Sequence, residues 1–307
     1  MGIDQQDIYI HIGLHKTGST FLQRHLFSRL DVNRIITPRV DYVAASEPFD
    51  PRVFQEILVS QGNFDGRDTT LISQETLSGR GDGNPVWDRN TIAQRLAHTF
   101  PRARIILVLR NQFDYILSLY TFRVIRRGLE RRSLRSYLRD YCDSRLKPKL
   151  KYDELVQRYV SLFGQENVLV LPYEFLARDR VAYIQSILSF MSIGNAIDVP
   201  DIRVNRSSRS RTLLWMNRSL NIPVSLFMDA MASTGVISQR QHTTLAYHYF
   251  RIKRPVNRKL MSCLARESAP LQFDGKWRVR LRRVFRDGNR SLSRLTGIDF
   301  SDYGDPV

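Results

Sequence analysis

Ile8-Tyr9-Ile10-His11-Ile12-Gly13-Leu14-His15-Lys16-Thr17-Gly18-Ser19-Thr20-Phe21-Leu22 is the stretch that decides the fold. The apolar, β-branched run from Ile8 to Ile12 reads as a short buried strand. Two glycines, Gly13 and Gly18, bound a turn. From Ser19 to Leu30, Phe21, Leu22, Leu26 and Leu30 recur at helical spacing. A strand feeding a glycine-rich turn and then a helix points backbone N–H groups and the positive end of the helix dipole at one spot, which binds an anion. A helix start that binds nothing is the plainer reading. Lys16 and the hydroxyls of Thr17, Ser19 and Thr20 argue for the anion site.

Working outward, similar runs occur at Thr69 to Ser73, Ala103 to Leu109 and Val168 to Leu171, alternating with helical patterns. Alternation of this kind predicts an α/β fold, a parallel sheet flanked by helices. Tyr152 to Phe163 carries Leu155, Val156, Tyr159 and Phe163 on one helical face and stops at Gly164. Asp179 is a candidate N-cap for a helix with a stripe of Val181, Ile184, Leu188 and Met191. A further helix is expected over Trp277 to Leu295. Between Asn205 and Pro270 the alternation is lost. The 307 residues read as one domain, with 123–151 and 207–270 as helical, basic excursions that cover a substrate.

The formal net charge is +17, and seven Lys among 47 basic residues leave 40 Arg. This sign selects anionic partners, and the planar arginine fork suits sulfate, phosphate and carboxylate; an arginine-biased composition accounts for the excess equally well. The two cysteines, Cys142 and Cys263, make neither a disulfide framework nor a zinc motif. With a strand beginning by Ile8, no basic-then-apolar leader and no run near the ~18 apolar residues of a membrane span, the expectation is a soluble, cytoplasmic protein for which peripheral membrane contact stays open.

The loop spacing is close to Gly-x4-Gly-Lys-Ser/Thr, but Ser19 stands where the lysine of a nucleoside triphosphatase would be, and the lysine is Lys16. The run from Ala103 ends in Arg110, which repels a metal and suits a phosphate. His15-Lys16-Thr17-Gly18-Ser19-Thr20 resembles the 5′-phosphosulfate loop of sulfotransferases that use 3′-phosphoadenosine 5′-phosphosulfate (PAPS). Arg110 with Ser118, eight residues on, resembles that family's 3′-phosphate signature. Phe163 to Leu176, with Tyr173-Glu174-Phe175-Leu176, resembles a third stretch, in which the tyrosine lies by the adenine; core packing is the other reading of Tyr173. Asn289 to Asp299 is similar to a common ending of these proteins.

The resemblance implies a P-loop NTPase-like three-layer sandwich, PAPS as co-substrate, adenosine 3′,5′-bisphosphate as product, no metal, and Lys16, Thr17, Gly18, Ser19, Thr20, Arg110, Ser118 and Tyr173 as cofactor-binding residues. Lys16 is placed to neutralise the leaving phosphate. Glu75, just past the Thr69 strand, is the expected base, with a pKa raised toward neutrality. A carboxylate that merely caps a helix or pairs with arginine is its rival reading. His15 ranks second, and His11 reads as a buried, satisfied strand residue. Arg123, Arg126 and Arg127, with Arg131 and Arg132, are candidates beside Glu75 for binding an acceptor, read as a carbohydrate or glycan and acidic if this basic stretch lines the cleft. A solvated basic face is the plainer reading. The alternatives are a P-loop kinase or nucleotide hydrolase, and a non-enzymatic binder of an anionic polymer; no nucleic-acid motif is found.

Overall fold

The structure, a computed structural model, describes residues 6–36, 44, 46–61, 67–79, 88–127, 130–194, 197, 210–238, 241, 242, 244, 245, 248, 249, 251–253, 255 and 270–304. Cys263 lies outside the described residues. Contacts group the chain into two compact units, one made of 1–112, 147–204 and 282–307, the other of 113–146 and 205–281.

The first unit is built on five strands: β1 (Asp7–Gly13), β2 (Asn33–Ile35), β3 (Thr69–Ser73), β4 (Arg104–Leu109) and β5 (Val168–Pro172). All pair in parallel, in the order β2-β3-β1-β4-β5. The chain fills one side of β1 and then crosses to the other, so a topological switch point falls between β1 and β4, where open α/β sheets bind ligands beyond their carboxyl ends. Gly13, Ser73, Leu109 and Pro172 stand at that edge.

Parallel strands are buried on both faces, which explains why these runs are apolar throughout rather than alternating. Ile106 and Val108 of β4 enter a cluster with Phe21, Leu22, Leu26, Tyr183 and Ile187, while Ile105, Leu107 and Leu109 are equally buried on the opposite face. Beyond the glycine loop, α1 (Ser19–Phe21) passes directly into a π turn, Leu22–Leu26, and a 3₁₀ turn, Phe27–Arg29. Helical spacing over Ser19 to Leu30 anticipated the buried face but not this change of winding.

Helix α2 (Pro51–Gln61) packs on α3 (Arg89–Thr99), and α3 packs on α6 (Tyr152–Phe163), which itself contacts β4 and β5. Gly164 ends α6 at φ 88°. Helix α7 (Tyr173–Arg178) follows β5, and Asp179 caps α8 (Arg180–Phe190) by accepting from the Ala182 amide. The expected stripe on α8 needs one correction: Val181 is 79% exposed, and the buried face is Tyr183, Ile184, Ile187, Leu188 and Met191. Val181 lies in the first turn, two positions before the buried face begins at Tyr183.

The second unit is helical. It holds most of α4 (Gln112–Phe122), together with α5 (Leu134–Tyr141), α9 (Arg211–Ser233) and the first turns of α10 (Gly275–Thr296). Asn221 is the hub of its interior polar groups: the Asn221 amide donates to the Val124 and Glu130 carbonyls, and Lys253 donates to Asn221 Oδ1 at 2.7 Å. Desolvation lowers the Lys253 pKa to about 8.

Candidate active site

The loop after β1 folds onto itself. A Cβ on Gly13 would lie 2.8 Å from Thr17 Oγ1 and 2.9 Å from Ser19 Oγ, so only glycine allows this closure. The buried Thr17 hydroxyl donates to the Leu14 carbonyl at 2.5 Å. Lys16 and Gly18 both take left-handed backbone angles, φ 74° and 83°, a geometry from which anion-binding concavities are built. For Lys16 that conformation is strained by roughly 1 kcal/mol, and the surrounding contacts hold it there.

Arg110 closes the other side. Leaving the end of β4, its Nη1 donates to the Lys16 carbonyl at 2.6 Å. Its guanidinium lies 4.9 Å from the centre of the Tyr173 ring, and that ring leaves no room for a Cβ on Gly18, which would approach it to 2.7 Å. Glu174 lies 4.0 Å from Arg110 Nε and accepts from the Asn111 amide at 3.2 Å, while the Tyr152 hydroxyl donates to the Arg110 carbonyl. Arg110 Nε is itself buried without a hydrogen-bond partner among the described residues. The Glu174 carboxylate is the anion that faces it.

Glu75 begins a 3₁₀ turn just past β3, and its Oε2 meets His15 Nδ1 at 2.5 Å. Burial pushes the Glu75 carboxyl up, but the His15 bond, the His15 charge, Ser19 and His11 together outweigh it and hold the pKa below the usual carboxylate value. The expected raised pKa is therefore corrected: the carboxylate is hydrogen-bonded by His15 at contact distance, and desolvation loses to these interactions. His15 binds this side chain rather than backbone. It is also the more open of the two, its side chain 45% exposed against 25% for Glu75.

Beneath them His11 is wholly buried, with Nδ1 2.8 Å from Ser73 Oγ and Nε2 without a partner among the described residues. It is thus half satisfied, not fully as its strand position suggested. Burial, opposed by the Glu75 charge, lowers its pKa from 6.5 to about 4. Below pH 6.5 the unfolded chain binds a proton that the folded chain refuses until about 4, so stability falls with pH through that window, by roughly 3 kcal/mol. Denaturant unfolding at a series of pH values should show this loss, and His11→Asn should flatten it. Glu75, with a lowered folded pKa, stabilises above its unfolded value and loses that contribution only as pH falls further.

Against known families, residues 88–223 match the sulfotransferase domain. The chain is similar to that domain over this stretch, which is less than half of its length. The match takes in the Arg110 to Ser118 stretch and begins after the glycine loop. Among solved structures the chain is similar to a sulfotransferase from Alicyclobacillus acidocaldarius, at 21% identity over 72% of this chain and 96% of that one, TM-score 0.49. It is also similar to a mouse sulfotransferase solved with PAP, at 18% identity over 65% and 63%, TM-score 0.40. A third is the sulfotransferase domain from the curacin biosynthetic pathway, at 14% identity over 62% and 75%, TM-score 0.38. No curated protein matches the chain.

The first unit brings together Lys16, Thr17, Gly18, Ser19, Arg110, Tyr173, His15 and Glu75, with Thr20 in the first turn of α1. Ser118 is buried on α4, in the second unit. Arg123 stacks over the rings of Tyr137 and Tyr141, and Arg132 pairs with Glu130. Arg131 pairs with Asp229. The side chains of Arg126 and Arg127 lie outside the described residues. Glu174 and Tyr152 were not singled out from sequence as site residues. Glu174 follows Tyr173 in the quoted motif and could have been found there; Tyr152 had no signal, since helical spacing marks it only as core. Among the described residues no group of His, Cys, Asp and Glu could hold a metal ion.

Proposed function

We propose that the protein transfers the sulfuryl group of PAPS to a hydroxyl of a carbohydrate acceptor. The observation that carries this reading is the 2.6 Å bond from Arg110 to the Lys16 carbonyl, which joins two sequence signatures 94 residues apart into one cationic edge. Bound PAPS supplies the sulfuryl group and leaves as adenosine 3′,5′-bisphosphate. The residues fit such a nucleotide: the Gly13–Gly18 loop is shaped for a phosphate, and Arg110 brings a guanidinium to the same edge. Ser118 is proposed as a second hydroxyl partner for the 3′-phosphate, and Tyr173 as an aromatic contact.

Lys16 stabilises negative charge that grows on the bridging and equatorial oxygens. Glu75, anionic at neutral pH, accepts the His15 Nδ1 proton and so keeps the ring's lone pair on Nε2, by which His15 takes the acceptor's proton while Glu75 orients it. This reassigns the pair, with Glu75 the positioning carboxylate. Glu75→Gln is expected to lower kcat roughly 10- to 100-fold with little change in the affinity for adenosine 3′,5′-bisphosphate. His15→Ala should do at least as much; wild-type turnover by His15→Ala would return the role to Glu75.

Calorimetric titration separates this reading from its rivals. Metal-free binding of adenosine 3′,5′-bisphosphate supports sulfuryl transfer, binding of ATP only with Mg²⁺ points to a kinase, and neither points to a non-enzymatic binder. Mass spectrometry of neutral and acidic oligosaccharides incubated with PAPS then tests the acceptor class. A reducing, cytoplasmic setting is part of the proposal, supported by a sequence with only two cysteines, too few for a disulfide framework.

A further inference from the structure

We infer that the outer face of α9 is a docking surface for an anionic lipid bilayer. Among the described residues, nine of the thirteen exposed large apolar side chains fall in the second unit, and five of them are on this one helix: Trp215, Leu220, Ile222, Leu226 and Phe227. Trp215 and Phe227 are each 64% exposed. At about 100° per residue, Trp215, Ile222 and Leu226 lie within roughly 40° of one another, and Phe227 and Leu220 widen the face to about 160°. No charged residue falls inside that sector. The inner face, with Leu213, Leu214, Asn217, Asn221, Ser225 and Met228, is buried, so the outer one is surplus to the unit's own core. A contiguous apolar face of this size on a charged protein marks an interaction site.

Charge decides what covers it. The second unit holds 22 basic and 7 acidic residues, a net +15 of the chain's +17. Arg211 and Arg218 stand at one border of the apolar sector. An aromatic and aliphatic stripe bordered by arginine, within a strongly cationic unit, is the pattern of a helix that lies in the interface plane, with electrostatic attraction to anionic headgroups adding to apolar burial. A second copy would bring +15 against +15 and be repelled. A nucleic acid or polysaccharide would satisfy the charge but has no use for Ile222 and Leu226. No helix among the described residues is long and apolar enough to cross a membrane, so the contact is peripheral.

The test uses the full chain and does not depend on the sulfotransferase reading. Co-sedimentation with mixed phosphatidylcholine and phosphatidylglycerol vesicles should exceed that with pure phosphatidylcholine by about tenfold or more, and fall with salt. The double substitution Leu226→Ser with Phe227→Ser, at exposed positions where an unchanged melting temperature verifies folding, should weaken vesicle binding by roughly tenfold or more. The difference in fluorescence between the wild type and Trp215→Phe should shift to the blue on adding anionic vesicles. Equal binding by the double variant, or an unshifted Trp215 signal, would leave only headgroup adsorption and overturn the inference. So would a dimer in sedimentation equilibrium that the double substitution disperses, because the face would then belong to a second copy.

Discussion

Lys16→Ala is expected to lower kcat/KM for sulfuryl transfer by roughly 10²- to 10³-fold, the usual consequence of removing one group aimed at developing charge. Alanine isolates the ammonium. It keeps the Cβ, so the left-handed backbone at φ 74° remains as strained as before, and the carbonyl that Arg110 binds stays in place. Loop shape should therefore be preserved while the charge is lost. Lys16→Gly makes the contrast: it should be as inactive but more stable by about 1 kcal/mol, because the left-handed strain is relieved. Steady-state kinetics together with denaturant unfolding read both quantities. A drop in kcat/KM under about fivefold for the alanine variant would take Lys16 out of the reaction.

Arg110→Ala should weaken binding of adenosine 3′,5′-bisphosphate by about 100-fold or more, and also lower stability by about 1–3 kcal/mol. Both effects arise from one position. The guanidinium donates to the Lys16 carbonyl, stacks on Tyr173 and lies near Glu174; removing it leaves a loop carbonyl without its donor and a carboxylate without its cation. Arg110→Lys retains charge but not the planar fork, so it should recover only part of the affinity. Calorimetric titration and thermal unfolding distinguish the two contributions. Unchanged nucleotide affinity in a folded Arg110→Ala variant would show that the residue only props the loop.

The strands show how much could be read directly. β1, β3, β4 and β5 were each anticipated to within a residue or two of their ends, because parallel strands buried on both faces leave continuous apolar runs. β2, three residues long with Arg34 at its centre, carries no such run and went unread. The α8 stripe was displaced because Val181 is apolar yet exposed, and periodicity alone does not tell which of two adjacent arcs faces inward.

From the residues themselves came the α/β class, the glycine loop with Lys16, and Arg110 at a strand end, since local spacing and side-chain chemistry are properties of neighbouring positions. Tertiary structure alone decided that Arg110 would hold the Lys16 carbonyl, that Glu75 would pair with His15 and lose proton affinity instead of gaining it, and that His11 would be left half satisfied. Those outcomes depend on the order in which parallel strands lie side by side. Placing β3 and β4 on either side of β1 is what brings positions 60 and 94 residues apart within hydrogen-bond reach, and a pKa follows from the distance to a charge, which no linear spacing encodes.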